Sequence, residues 1–341
     1  MTLAGDFGPN DIVKQIEKTS IKGRHLIFID DFLPTELENL FKTAVMLEPF
    51  WRYRIPLLEG KVLCTQFFQP STRTRFSHET AMLRLGGNVI TESNPLVSSA
   101  AAKGESLYDT LRVTSQYADV IVLRHPDEGV IDTIKQLGST ASPIISGGYG
   151  NVTHPTQGLL DMYTAYRALG GDFKKMTVMI ATPDLSRARS GQSFGLGLAH
   201  MGARLIYSGT TGLETSDIIR EKLNEMNADF IEVNDLTIRQ HEEMIADEGV
   251  DLVYLPGCSV KTGDPGRDDF LKKMAEYYFT LEGLQRIKWK SGKTVGLMHS
   301  LPRNEGEFDF AIDASAHELY FKQIGFSVPL RMSLLANICG V

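Results

Sequence analysis

The strongest constraint on this chain is a repeated alternation of short apolar runs with helical patterns. The runs KVLCTQFF (61–68), NVIT (88–91) and DVIVL (119–123) are largely apolar throughout, which suits strands buried on both faces. Between them, 73–85 carries helical spacing through Phe76, Thr80 and Leu83 and is stopped by Gly86-Gly87; 106–117 reads as a second helix. A helix beginning near Pro155, with apolar residues at Leu159, Met162, Tyr163 and Tyr166, bridges to a second series. There, 177–181, 204–207, 229–233, 251–255 and 294–298 read as strands, with helical patterns at 190–200 and 268–276 among them. Strand–helix–strand repeats build parallel sheets, so the expected class is α/β with two parallel-sheet, three-layer domains.

A length of 341 residues also suits two cores better than one. The expected division is 1–155 plus about 325–341 for the first domain and 156–324 for the second, with a terminal helix at 329–338 returning to the first. A helix at 35–47, opened by Leu33-Pro34, precedes the first strand, and 1–27 is polar and mixed.

Hydrophobic residues make up 42% of the chain and charged residues 23%, an ordinary globular balance. The formal charge of −7 argues against a general nucleic-acid or anionic-membrane binder, so any anion site must be assembled locally. No apolar run reaches membrane-spanning length, and the first residues lack the pattern of a signal peptide, which points to the cytoplasm. Cys64, Cys258 and Cys339 are far apart with no CxxC spacing, and they read as three reduced thiols, with no metal site.

Such a local anion site stands at Ser71-Thr72-Arg73-Thr74-Arg75, where a strand turns into a helix. A helix start offers free N–H groups and the positive end of the macrodipole. Hydroxyls and guanidiniums added there suit a doubly charged phosphate, whereas a helix cap needs only one side-chain oxygen.

With these residues the chain resembles the aspartate/ornithine carbamoyltransferase family, whose carbamoyl-phosphate signature is this S-T-R-T-R turn. Four further stretches match in order: KGESLYDT (103–110), Leu123-Arg124-His125-Pro126, His154-Pro155-Thr156-Gln157, and HSLPR (299–303), where the family usually has H-P-L-P-R. The match runs from about residue 30 to the C-terminus and favours the aspartate branch, since the HCLP and SMG signatures of the ornithine branch are absent. The resemblance implies a carbamoyltransferase-like fold and a reaction without cofactor or metal. It assigns the phosphate of carbamoyl phosphate to Ser71, Thr72, Arg73, Thr74 and Arg124, the carbamoyl oxygen to His154, and the carbamoyl NH2 to Gln157 and the backbone carbonyls of Ser300 and Leu301. Arg73, Thr74, Arg124 and His154 form the implied catalytic set. Ser99 and Lys103 would come from the neighbouring subunit of a homotrimer. Taken alone, Lys103 reads as a solvated loop lysine and His154 as a structural histidine.

The resemblance also implies that the second domain chooses the acceptor. Arg189 stands where the family binds the acceptor's α-carboxylate, and Leu301 lies nearby in the H-x-L-P-R motif. The family's R-x-Q element, which would grip aspartate's side-chain carboxylate, is replaced by Gly257-Cys258-Ser259. The next family arginine falls on Thr262, and a glutamate that pairs with these arginines is Gln69. Three charge losses in one network imply a smaller carboxylate bearing an amine, amide or ureido nitrogen. Ureidoglycine is one such acceptor, with allantoate phosphorolysis in purine breakdown as the physiological direction. Aspartate, and with it pyrimidine biosynthesis, stays open because Lys261 or Arg267 could restore a charge.

Two other classes compete. A nicotinamide-dependent oxidoreductase also uses parallel α/β domains, but Gly147-Gly148-Tyr149-Gly150 lacks GxGxxG spacing and Thr182-Pro183-Asp184-Leu185 replaces the glycine fingerprint. A catalytically inactive binding homologue is disfavoured by Ser71, Arg73, Thr74, Lys103, Arg124 and His154 standing together.

Overall fold

The structure is a computed structural model that describes residues 8–98, 103–257, 267–304 and 306–341. The chain divides into two compact units, the described residues of Met1–Thr156 with Gly325–Val341, and Gln157–Ile324.

In the first unit, α1 (Pro9–Ile16) and α2 (Pro34–Leu47) precede the sheet. Pro34 opens α2 with its φ already helical, and the Glu36 carboxylate accepts the Leu33 N–H at 2.8 Å. Leu37, Leu40, Phe41, Ala44 and Leu47 then form its buried stripe. The series continues with β1 (Val62–Phe67), α3 (Thr72–Arg84), β2 (Asn88–Glu92), α4 (Pro95–Ser98), α5 (Leu107–Thr114), β3 (Val120–His125), α6 (Val130–Leu137) and β4 (Ile144–Tyr149). All ladders are parallel, in the order β2-β1-β3-β4. Because parallel crossovers are right-handed, the reversal of direction after β2 puts α3 on one face and α5 and α6 on the other. The contacts agree: α3 packs on β1 and β2, and α5 packs on α6.

Helix α7 (Pro155–Leu169) leads into the second unit, where β5 (Thr177–Ala181), α8 (Arg189–His200), β6 (Arg204–Gly209), α9 (Asp217–Glu225), β7 (Phe230–Asn234), α10 (Ile238–Asp247), β8 (Leu252–Leu255), α11 (Arg267–Met274), α12 (Leu281–Ser291) and β9 (Gly296–His299) follow. The parallel order is β7-β6-β5-β8-β9. Here α8 packs on α9 and α10 on α12, the two pairs covering opposite faces. Met179, Ile206, Val253 and Leu297 from the sheet join Ile245, Leu284, Ile287 and Phe308 in one core. Burying each such side chain is worth about 1.5–3 kcal/mol.

The two-sheet α/β class read from the alternation holds, and several details differ. Segment 9–16, inside a stretch that looked featureless, is a helix that buries Ile12, Gln15 and Ile16. On α3 the apolar series Phe76 and Leu83 is half exposed, and Thr74, His78, Ala81 and Met82 face inward. Two faces of one helix share the same period, so spacing alone could not choose between them. The last helix, α13 (Tyr320–Cys339), begins nine residues before Pro329, which lies in its interior. Proline reads as a helix start because it lacks an N–H. Here the buried Tyr320 and Gln323 anchor an earlier turn, and packing overrides the missing hydrogen bond.

Candidate active site

In an open parallel sheet, ligands collect beyond the C-terminal strand ends where the strand order reverses. In the first unit that point lies between β1 and β3. The Phe68 N–H, just past β1, donates to the Arg124 carbonyl at 2.9 Å, tying the two strand ends together. Ser71 is the extended residue before α3 (φ −160°, ψ 105°), and its side chain makes no cap hydrogen bond. Thr72 and Arg73 are exposed in the first turn and Thr74 is buried. Partial burial lowers the pKa of the Arg73 guanidinium, which stays charged at neutral pH. Arg75 turns along the helix instead, 3.8 Å from Glu79, whose Oε1 accepts from Thr65 and Thr91 at 2.8 and 2.9 Å. The S-T-R-T-R turn thus leaves Arg73 exposed and ties Arg75 to its own helix.

Arg124, at the end of β3, donates from Nη1 to the Gly147 carbonyl at 3.0 Å and lies 3.4 Å from His154 Nε2. The other face of the ring is set by Thr156, whose hydroxyl donates to the Ser146 carbonyl at 3.0 Å and lies 3.3 Å from His154 Nδ1. Gly147 permits this closeness, because a Cβ there would stand 3.4 Å from Arg124 Cβ and 3.3 Å from the Leu123 carbonyl. The glycine-rich stretch is the end of β4 and serves the arginine. Lys103 is exposed, and Ser99 lies outside the described residues.

In the second unit the strand order reverses between β5 and β8, and a cavity at that point is lined by Thr182, Pro183, Leu255, Gly257, Tyr277, His299 and Glu307. Gly257 has φ 71°, and a Cβ on it would meet His299 Nε2 at 3.1 Å and Ser300 Oγ at 3.3 Å. His299 is fully buried with Nε2 3.3 Å from Glu307, and its Nδ1 accepts the Leu301 N–H at 3.0 Å. Burial acts to raise the Glu307 pKa, but His299 and Asn304 together hold it below the ordinary carboxylate value. Leu301 has φ 53°, a left-handed backbone that costs a non-glycine residue energy and is concentrated at functional sites. Ser300 Oγ donates to the Pro256 carbonyl.

Arg189 opens α8, and burial lowers its pKa. Cys258 and Ser259 lie outside the described residues, as do Lys261 and Thr262. Gln157 donates from Nε2 to Asp161 Oδ1 at 2.9 Å. Sequence reading passed over Asp161 and Glu307, and weighed Gly147 only as part of a dinucleotide fingerprint. Asp161 follows Gln157 by one helical turn, a spacing that flags it once Gln157 is suspected.

Among known proteins, the family model described as aspartate/ornithine carbamoyltransferase, carbamoyl-P binding domain, matches residues 24–167. A ureidoglycine carbamoyltransferase of Rubrobacter xylanophilus is 44% identical over 326 residues, covering 95% of this chain and 94% of that protein. The chain belongs to the aspartate/ornithine carbamoyltransferase family. The aspartate carbamoyltransferase catalytic subunit of Thermococcus gammatolerans is 37% identical over 94% of this chain and 98% of its own length. Among solved structures, the catalytic subunit of Methanocaldococcus jannaschii aspartate transcarbamoylase superposes with a TM-score of 0.77 at 35% identity, covering 93% of this chain and 99% of that one. The Trypanosoma cruzi enzyme in complex with carbamoyl phosphate superposes with a TM-score of 0.80 at 25% identity, covering 94% and 97%.

This carbamoyltransferase therefore has the fold and activity class implied by its five motifs, and the nicotinamide alternative falls away. No helix among the described residues is long and apolar enough to cross a membrane.

Proposed function

We propose that this carbamoyltransferase moves the carbamoyl group between carbamoyl phosphate and ureidoglycine, a small carboxylate without aspartate's second carboxylate, and that it works physiologically in the phosphorolysis of allantoate. The observation that carries this reading is Gly257. At the position of the family's clamp arginine the backbone is left-handed and His299 and Ser300 fill the space beside it, so a side chain cannot be seated there without strain. The 44% identity to a protein named ureidoglycine carbamoyltransferase supports the same acceptor.

In the carbamoylating direction, the acceptor nitrogen attacks the carbamoyl carbon with its lone pair while the C=O pair moves onto oxygen. Thr74, Arg124 and His154 stabilise that oxyanion. Its collapse breaks the C–O bond to phosphate, and the departing phosphate takes both the bond pair and the proton from nitrogen. Ser71, Thr72 and Arg73 hold the phosphate throughout, Gln157 and the Ser300 and Leu301 carbonyls hold the carbamoyl NH2, and Arg189 anchors the acceptor carboxylate. Allantoate phosphorolysis is the same sequence reversed, with phosphate as the nucleophile. The working form is a cytoplasmic homotrimer in which Ser99 and Lys103 complete the neighbour's site. Half-exposed Phe76, Leu83, Val113 and Tyr117 in the first unit are side chains that such an interface would cover.

The test is a rate comparison. Phosphate release from carbamoyl phosphate should be fast with ureidoglycine and negligible with L-aspartate, and allantoate consumption should require phosphate. Efficient carbamoylation of aspartate with ureidoglycine inert would overturn the reading.

A further inference from the structure

Asp161 is fully buried in the second unit and is surrounded by donors. Its Oδ1 accepts from Gln157 Nε2 at 2.9 Å and from the Gln323 amide, and its Oδ2 accepts from Tyr254 Oη at 2.7 Å. A carboxylate has no proton to give, so every neighbour must turn a donor toward it. For Gln157 this settles which end of the amide faces inward. Nε2 is directed at Asp161, and Oε1 is the atom left to face outward.

We propose that Asp161 is a positioning residue that orients the Gln157 amide so that it offers only a hydrogen-bond acceptor to the ligand, making the site selective for an acyl phosphate that carries an NH2. This rests on the reading above in which Gln157 binds the carbamoyl NH2. The geometry is built into α7, where residues four apart share one helix face, so that the half-buried Gln157 reaches along the helix to the fully buried Asp161 one turn on. Tyr254 supports the arrangement from β8. Burial, and next the neighbouring Asp161, push its phenol well above the ordinary tyrosine pKa, so it remains a donor. An amide in the other orientation would set its NH2 against the carbamoyl NH2, replacing attraction with repulsion.

The experiment compares binding of carbamoyl phosphate with acetyl phosphate, which has a methyl group in place of the NH2, by titration calorimetry. The wild-type protein should prefer carbamoyl phosphate. Gln157→Ala should lower that preference about tenfold, the scale of one well-placed hydrogen bond. If Gln157→Ala leaves the preference intact, the assignment of Gln157 itself fails. Asp161→Leu should lower the preference to the same extent while acetyl phosphate affinity changes less than twofold. If Asp161→Leu weakens both ligands equally, Asp161 has only a structural role and the proposal is overturned.

Gln157→Glu decides the matter should Asp161→Leu not fold. It sets two carboxyl groups at hydrogen-bond distance, and such a pair shares one proton with a raised apparent pKa. Carbamoyl phosphate affinity should then fall as pH rises between about 5 and 8, beyond any change in the wild type. An unchanged pH profile would mean that the pairing is not made in the working protein.

Discussion

Gly257 and Arg73 show how differently a single residue can matter in the two units. At Gly257 (φ 71°) the backbone lies where an L side chain costs roughly 1–2 kcal/mol, and His299 Nε2 stands 3.1 Å from a would-be Cβ. Gly257→Arg is therefore expected to lower stability by about that amount and to leave aspartate carbamoylation undetectable. Thermal melting and the phosphate-release assay would check the two halves of that statement. Arg73 is exposed in the first turn of α3, so Arg73→Ala should fold normally and lose binding of carbamoyl phosphate and of phosphate alike. Removing one charge-stabilising donor typically costs a hundred- to a thousandfold in rate, and kcat/KM should fall at least that far. At this scale the S-T-R-T-R turn was legible because its residues are contiguous. The closeness of Arg124 and His154 was not, since it depends on β3 and β4 lying side by side and on Gly147 letting them approach.

At the level of elements, helix α10 carries a titratable group into the core. His241 is fully buried, accepts from Ser208 at Nε2 (2.7 Å) and donates from Nδ1 to the Thr237 carbonyl (3.1 Å). Burial lowers its pKa to about 4. The unfolded chain, with a histidine pKa near 6.5, binds the proton more readily, so this group's contribution to stability is complete above about pH 6.5 and is lost as pH falls toward 4. The loss is on the order of 3 kcal/mol. His241→Gln should flatten the stability profile over that window in denaturant melts at stepped pH.

Helix α8 supplies a second case. A Cβ on Gly195 would stand 2.0 Å from Tyr207 Oη, on β6, so Gly195→Ala should destabilise by about 1–3 kcal/mol or more. Tyr207 Oη is buried and makes no hydrogen bond. Tyr207→Phe should therefore be neutral or stabilising and should partly rescue Gly195→Ala, as a double-mutant melting series would show. Element type and order could be read from the apolar runs, because strands buried on both faces must be apolar along their length. The inward face of α3 and the start of α13 could not, since burial against neighbours decides both.

On the scale of the whole molecule, the proposed shared site makes a prediction that no single chain can meet. Arg73→Ala and Lys103→Ala proteins should each be nearly inactive. Mixed under conditions that exchange subunits, they should regain a fraction of wild-type activity, because some sites would combine an intact Arg73 with a neighbour's intact Lys103. Hybrids that stay inactive while exchange is demonstrated by mass would exclude a site completed by Lys103 from another subunit. The sequence by itself determined the two parallel α/β units, the family and the carbamoyl-transfer chemistry, because periodicity and contiguous motifs are local properties of a chain. Only the tertiary structure decided that a side chain at Gly257 would be strained, that Arg124 comes within reach of His154 beside Gly147, and that the Asp161 carboxylate takes the Nε2 end of the Gln157 amide. Each of these depends on distances between strands or helix faces, which folding sets and spacing along the chain does not record.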